Sequence, residues 1–358
     1  MLRKYFLALA LTGSMHAGID LRLPTENHHL LTGEPDRFYM YVDRTFEGQT
    51  STPWEAGSFG YVRNAMRISD QVILTKFHEG IDISPVNRDK AGNPLDLVSS
   101  IADGRVVHTS PIAGRSNYGK YVVVEHEWEN SSIYSLYAHL AEITCKPGDP
   151  VKSGSVLGRM GYTGAGINRT RAHVHLELAM LMSTRYDDWA RAANNYHGNF
   201  NGMNLTGADA ARFFIEHKKN PEIRFSEFIA STPVYFKVTV PSKGTPDFVT
   251  RHPWICKGDA AGAVSWEISF SATGMPVSFA PSQRAVDSAI VTSIRPSNIP
   301  HRYLTRNLVT GQENHATLTT GGKQLVALLT DDFPVVEAKA EPAKNETTST
   351  HGNARNNL

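Results

Sequence analysis

The sequence predicts a mainly β protein built on an antiparallel sheet, with a short helical segment and a smaller C-terminal β-rich domain. Three observations predict this class. Between 71 and 182, short runs of β-branched and aromatic residues are separated by turn formers. Glycines recur between these runs, as tight turns require. After a stretch of helical composition, a second series of such runs begins near Pro233.

Individual elements follow from the same patterns. Segments 120–126 and 132–139 are rich in β-branched and aromatic residues and flank a turn sequence, which predicts a hairpin. Thr206-Gly207-Ala208-Asp209 resembles a capping box, with Asp in the acidic position, at the start of a helix through 217. In the C-terminal part, the runs predict strands at 234–240, 264–270, 289–292 and 324–329.

The chain of 358 residues is longer than one average domain, so we expect more than one unit. We predict six segments: a signal peptide (1–17), an N-terminal segment on or near the main domain (18–70), the main β domain (71–182), a helical segment (183–232), a small β-rich domain of unknown role (233–332) and a disordered tail (333–358).

The N-terminus indicates export. Arg3 and Lys4 precede a short apolar run at 5–11, and small residues follow, the layout of a signal peptide cleaved after Ser14 or Ala17. A buried N-terminal helix is the alternative. We therefore expect a periplasmic or extracellular protein without an integral membrane segment in the mature chain.

Composition adds little about partners. A hydrophobic content of 41% and a charged content of 20% are ordinary for a soluble protein, and the net charge of +1 gives no reason to expect nucleic acid. Cys145 and Cys256 form either one disulfide or two separate thiols. The sequence leaves the oligomeric state open.

Two short segments carry residues that bind transition metals. His78 and Asp82 lie in one, and His173 and His175 lie in the other. Zinc binds His nitrogen and Asp oxygen, and three protein ligands leave a position for catalysis. Residues two apart on a strand lie about 6.5 Å from each other, so one ion reaches only one of the two neighbouring histidines. His78 and Asp82 would lie about 13 Å apart on a straight strand, which predicts a bend at Gly80.

These segments resemble the signature motifs of the lysostaphin-like (LytM-domain) zinc endopeptidases. The resemblance rests on His78-xxx-Asp82, on Tyr137-Ala138-His139-Leu140 and on His173-Val174-His175-Leu176-Glu177, with similar intervening segments from about 76 to 180. It implies that His78, Asp82 and His175 bind one zinc ion and that His139 and His173 are catalytic. It also implies an antiparallel sheet with a substrate groove.

What the resemblance implies about function is hydrolysis of peptide bonds by a zinc-activated water, most commonly in peptidoglycan cross-links. Two alternatives are a non-catalytic regulator or scaffold of cell-wall enzymes, and a zinc peptidase that cleaves secreted proteins. Glu177 shares the strand face of the two histidines and is either a base or a supporting carboxylate. The loop before His173 is longer and more basic than is usual in the family, so Arg169 and Arg171 are candidates to bind substrate carboxylates.

Overall fold

The computed structural model of the protein describes residues 18–190 and 195–334. The predicted signal peptide at 1–17 lies outside the described residues, as does the predicted disordered tail from 335 onward. Among the described helices, none is long and apolar enough to cross a lipid bilayer.

The prediction of a mainly β, antiparallel fold is confirmed. The strands are β1 (Arg44–Phe46), β2 (Gln49–Ser51), β3 (Gly60–Ile68), β4 (Gln71–His78), β5 (Ile81–Ile83), β6 (Leu97–Ser99), β7 (Gly104–Ser110), β8 (Tyr121–Trp128), β9 (Ser131–Ala138), β10 (Leu140–Ile143), β11 (Pro150–Val151), β12 (Val156–Met160), β13 (Val174–Leu181), β14 (Leu205–Ala208), β15 (Phe236–Pro241), β16 (Ser265–Phe270), β17 (Pro276–Ser282), β18 (Ile290–Ile294), β19 (Val309–Gln312) and β20 (His315–Leu318).

The helices are short. They are α1 (His29–Thr32), α2 (Pro35–Phe38), α3 (Tyr186–Ala190), α4 (Ala210–Lys219), α5 (Phe225–Ala230), α6 (Asp247–Arg251), α7 (His301–Leu304) and α8 (Thr320–Thr330).

A seven-stranded sheet forms the centre of the molecule, in the order β11-β7-β8-β9-β13-β14, with β5 also paired to β13. The predicted hairpin is its middle, since β8 and β9 pair antiparallel from Val122 opposite Tyr137 to Trp128 opposite Ser131. Glu129 and Asn130 connect them with φ of 54° and 56°, the left-handed turn that matches the twist of a hairpin. Strand β13 lies near one end of this sheet and is buried along its whole length.

Two smaller sheets flank the central one. Strands β10, β12 and β6 form a three-stranded sheet, and β3 and β4 form a long separate hairpin upstream of β5. Because β4 ends at His78 and β5 begins at Ile81, the chain passes from the hairpin into the central sheet within two residues. This crossing point positions the candidate site.

Helices α4 and α5 cover the sheet through an aromatic cluster. Phe213 packs against Trp128, Phe225 and Phe228 at ring-centroid distances of 5.9, 5.6 and 4.9 Å. The predicted helix start at 206 is wrong. Residues 205–208 are strand β14, paired with β13, and the side chain of Asp209 caps α4 by accepting from the Arg212 amide. Backbone pairing with β13 determines the conformation of these residues.

The C-terminal part contains the four-stranded sheet β17-β16-β15-β18 and the hairpin β19–β20. The strand predicted at 324–329 is wrong, because Thr320–Thr330 is helix α8, capped by the Thr319 side chain. A short apolar run fits a buried strand or a helix equally, and here the cap starts a helix. Buried core residues continue from Leu23 to Leu329, so the predicted domain boundaries stay predictions. Cys145 and Cys256 are both free thiols in the structure.

The Phe213 cluster generates a prediction about stability. Phe213 is 1% exposed, so Phe213→Ala leaves a cavity and should lower the free energy of unfolding by about 3–5 kcal/mol. Denaturant unfolding measures this change. Met203→Ala, at a side chain 65% exposed, is the matched control and should be nearly neutral. Equal losses in the two variants would contradict this packing account.

Candidate metal centre

Three strands bring His78, Asp82 and His175 together. His78 ends β4, Asp82 lies in β5, and His175 lies directly opposite Asp82 in the antiparallel pairing of β5 with β13. All three side chains are buried. Among the His, Cys, Asp and Glu residues of the described ranges, these three have donor atoms close enough together to hold one metal ion.

Gly80 makes this convergence sterically feasible. A Cβ atom at residue 80 would lie 2.5 Å from the Leu176 carbonyl oxygen and 2.8 Å from Cε1 of His175. The bend that the sequence predicts between His78 and Asp82 is therefore present, and the glycine is needed because β13 passes so close to it. Any larger residue would push the His175 ring away from its neighbours.

The donor atoms have the spacing of a zinc site. Nε2 of His78 lies 3.1 Å from Nδ1 of His175 and 3.1 Å from Oδ1 of Asp82, and Nδ1 of His175 lies 2.9 Å from the same oxygen. Two ligands bound tetrahedrally to one zinc at ordinary bond lengths lie about 3.3 Å apart. The residues present therefore fit a zinc ion, with His78 binding through Nε2 and His175 through Nδ1.

Each of the three residues is held in place through its other polar atom. Nδ1 of His78 donates to the Ser58 carbonyl oxygen at 2.8 Å, and Nε2 of His175 donates to Oε1 of Glu177 at 3.0 Å. Nη2 of Arg63 donates to Oδ2 of Asp82 at 2.6 Å, which leaves Oδ1 facing the two imidazoles. Such contacts fix the orientation of metal ligands and the tautomer of the imidazoles.

The position of Glu177 decides between its two predicted roles. The carboxylate is 1% exposed and accepts from both His175 and the Tyr118 hydroxyl, the latter at 2.5 Å. With both contacts on Oε1, it supports the far side of the His175 ring. This geometry favours the supporting role over that of a base.

The pKa values of Asp82 and His175 reflect the burial of these side chains and the close approach of other ionisable groups. Burial alone would raise the pKa of the Asp82 carboxyl, but His78 and His173 charges, with hydrogen bonds from His173 and His175, lower it well below its usual range. Burial lowers the pKa of His175, but hydrogen bonds to Asp82 and Glu177 outweigh it and raise the pKa to about 10. A metal ion that bound to His175 would therefore displace a proton.

His139 and His173 lie beside the three converging residues. Their rings are 4.8 Å apart between centroids, and the His139 ring is 5.8 Å from that of His175. Nδ1 of His139 donates to the Thr163 carbonyl at 2.8 Å, and Nδ1 of His173 donates to the Arg171 carbonyl at 2.6 Å. In both histidines Nδ1 is thus the donor to the backbone, and Nε2 is the ring nitrogen that is left for other partners. Nε2 of His173 lies 3.4 Å from Oδ1 of Asp82.

The backbone at His139 is unusual. His139 connects β9 to β10 with φ of 62°, a left-handed conformation that few residues other than glycine adopt, and its amide donates to the Tyr118 carbonyl. Such outliers concentrate at functional sites. Burial and the neighbouring charges of His173 and His175 lower the pKa of His139 well below its usual range, which keeps the ring neutral at pH 7.

The five histidine and aspartate side chains line a cavity of about 710 Å³. Segment 42–45 and hairpin β3–β4 supply part of its lining, and residues 117–118, 165–167 and Arg171 supply another part. The sequence assigns no role to Ser58, Arg63, Tyr118 or Thr163. Tyr118 and Thr163 lie in segments that resemble the family, but the contacts of all four residues depend on tertiary structure. The contacts of Ser58 and Arg63 join residues 20 and 19 positions apart, across the turn of a hairpin.

Comparison with known proteins identifies the central segment. Residues 76–187 match Peptidase family M23, which confirms the resemblance drawn from the motifs. The outer membrane antigenic lipoprotein B of Histophilus somni is 26% identical over 141 residues, which are 39% of this chain and 37% of that protein. The match thus spans little more than a third of that relative.

Solved structures give similar matches. A zinc-containing peptidase from Vibrio cholerae is 26% identical, with 40% of this chain and 36% of that one covered and a TM-score of 0.24. The catalytic domain of lysostaphin from Staphylococcus simulans is 19% identical, with 48% and 91% covered and a TM-score of 0.27.

The contact between Arg63 and Asp82 generates a prediction. Arg63→Met removes the guanidinium that orients the carboxylate, so the affinity for zinc should fall by about 10–100-fold. Competition with a chromogenic chelator measures it. Arg63→Lys keeps the charge with a single donor group and should fall less.

The matched control is Arg67→Met, on the same strand β3, where the arginine pairs with Glu47 at the surface. It should bind zinc as the unmodified protein does. Unchanged affinity in Arg63→Met would show that Asp82 needs no support from the upstream hairpin.

Proposed function

We propose, on the premise that residues 76–187 form a domain of peptidase family M23, that this chain is an exported zinc-dependent endopeptidase. The observation that carries the proposal is the convergence of Nε2 of His78, Oδ1 of Asp82 and Nδ1 of His175 at zinc-ligand spacing, inside a cavity that also holds His139 and His173. His78, Asp82 and His175 would hold one zinc ion.

Zinc, when bound, would polarise the scissile carbonyl group and lower the pKa of water toward about 7. The side chains of the protein carry out the proton transfers and stabilise the developing charge. His139 and His173 each donate from Nδ1 to a backbone carbonyl, so each presents Nε2 to the cavity. A neutral imidazole there takes a proton from the attacking water and returns it to the leaving amine. Once protonated, it donates to the oxygen on which negative charge develops.

The geometry supports both histidines in these roles equally, and we assign the pair rather than one member. Arg63, Ser58 and Glu177 are positioning residues, because each contacts one of the three proposed zinc-binding side chains through an atom other than the one assigned to zinc.

The proposed substrate is a peptide in peptidoglycan cross-links. The motif resemblance to lysostaphin-like endopeptidases supports it, and the similarity to a protein described as an outer membrane lipoprotein supports a location outside the cytoplasm. The charged and apolar layout of residues 1–17 supports export in the same way.

Two substitutions test the assigned roles. Asp82→Ala should lose both zinc and cleavage, because it removes a ligand. His139→Ala should retain zinc but lower the turnover of cross-linked muropeptides by about 10²–10⁴-fold, because it removes a proton-transfer group. Metal analysis and chromatography of muropeptides measure the two effects.

The same assay with a chelator should abolish cleavage by the unmodified protein, and added zinc should restore it. Loss of zinc from His139→Ala would overturn the division of roles. Zinc binding without cleavage of muropeptides or secreted proteins would contradict the enzymatic proposal and favour a non-catalytic regulator.

A further inference from the structure

Five charged side chains that line the cavity have no part in the proposed chemistry: Asp43, Arg44, Lys76, Glu79 and Arg171. Asp43 and Lys76 are exposed, and Arg44 donates to the Val62 carbonyl, whereas Glu79 and Arg171 are half-buried and lie beside the histidines of the centre in the chain. The Glu79 carboxylate is not among the donor atoms that converge on the metal position, so it is no fourth ligand. A charged group that is partly removed from water and unpaired is costly unless a ligand pairs with it.

Arg171 is held rigidly by its surroundings. Its amide donates to Oδ1 of Asn168 at 3.0 Å, its carbonyl accepts from His173, and its Nε donates to the Tyr41 carbonyl at 3.2 Å. In the described part of the chain, the two terminal guanidinium nitrogens make no hydrogen bond. They remain available as a planar fork, the geometry that binds a carboxylate through two hydrogen bonds.

Glu79 has the opposite charge and is equally unpaired. Across residues 18–190 and 195–334 its carboxylate makes no ion pair and no side-chain hydrogen bond. Burial alone would raise the pKa of the Glu79 carboxyl, but the charge of His175, the Glu79 backbone amide and the charges of His78 and Arg306 lower it. Arg306 is exposed and stacks on the Phe77 ring at 4.7 Å. The carboxylate is thus free to accept from an ammonium or guanidinium group of a ligand.

Strand register places the two groups at opposite ends of the metal position. Asp82 pairs with His175 and Ile81 with Leu176, so the chain before Ile81 continues toward the C-terminal end of β13. The Glu79 carbonyl lies against Gly207, which pairs with Ala179. Arg171 precedes the other end of the strand, two residues before His173. His175 lies between them.

We propose that the cavity selects peptides that carry a cationic group on one side of the scissile bond and a carboxylate on the other, bound by Glu79 and Arg171 respectively. The inference rests on the proposed function and names its substrate class. An extended peptide along β13 would span both side chains with the reacting carbonyl near His175. Because Glu79 is negative and Arg171 is positive, a peptide with the opposite order of charges would place a group of like charge beside each of them.

Chemical neutralisation of the substrate tests this. Cross-linked muropeptides are used untreated, with amines acetylated by acetic anhydride, or with carboxylates amidated by carbodiimide and methylamine. For the unmodified protein, each treatment should lower kcat/KM by about tenfold, the value of one charge-assisted hydrogen bond. Glu79→Gln should have lower activity on the untreated substrate and no further response to acetylation. Arg171→Gln should show the same pattern toward amidation.

Matched controls are Arg105→Gln, at an exposed arginine on β7, and Glu127→Gln, at an exposed carboxylate on β8. Both should respond to the two treatments as the unmodified protein does. Zinc content should be unchanged in all four variants. If all three substrates are cleaved equally, or if each variant loses the same factor on every substrate, the charge-selective subsites are disproved while the peptidase proposal stands.

If the unmodified protein cleaves no muropeptide, the proposed substrate is wrong, and a randomised octapeptide library blocked at both termini replaces it. Mass spectrometry of the products should then show Lys or Arg enriched on one side of the cleaved bonds and Asp or Glu on the other. Glu79→Gln should remove only the first enrichment and Arg171→Gln only the second. Cleavage without either enrichment, or no cleavage, would overturn the inference.

Discussion

The pairing of Asp82 with His175 across β5 and β13 is the constraint on which the candidate site depends. It places two of the three donor atoms 2.9 Å apart, and the short connection from β4 brings the third, on His78, to within 3.1 Å of both. Gly80 is the only residue type that fits this connection, since a Cβ there would overlap β13. His139 directly follows the end of β9 and His173 directly precedes the start of β13, which places both histidines beside the three residues that supply these donor atoms.

Holding one carboxylate among four imidazoles costs free energy, and the surrounding chain offsets it. Arg63 neutralises Asp82 from outside, and the Ser58 carbonyl and the Glu177 carboxylate accept the outward protons of His78 and His175. Two of these three groups lie upstream of residues 76–187, the segment that matches the family. The N-terminal part of the chain therefore helps to position the side chains of the candidate centre. Segment 42–45, which is also N-terminal, lines the cavity.

The β class and the central hairpin are predictable from the sequence because each depends on local pattern. Ligand chemistry offers His78, Asp82, His173 and His175 as candidates, and the family resemblance selects His175 over His173. Gly80 was predicted from the distance between His78 and Asp82, although its stronger reason is the close approach of β13. Contacts made through tertiary structure were not predictable. Arg63 reaches Asp82 only because hairpin β3–β4 folds back, and histidines adopt a left-handed conformation too rarely for the residue type to predict it at His139. The conformations predicted within 205–208 and 320–330 are wrong. Sheet pairing makes the first segment a strand, and a Thr cap starts a helix in the second, in spite of their local composition.

The central claim is that one zinc ion lies between His78, Asp82 and His175. Its most direct test is a crystal structure of the zinc-loaded protein with an anomalous difference map collected above the zinc absorption edge. We expect a single strong peak at about 2.0–2.2 Å from Nε2 of His78, Oδ1 of Asp82 and Nδ1 of His175, with His139 and His173 uncoordinated. A peak bound by His173 in place of His175, or no peak among these side chains, would contradict it.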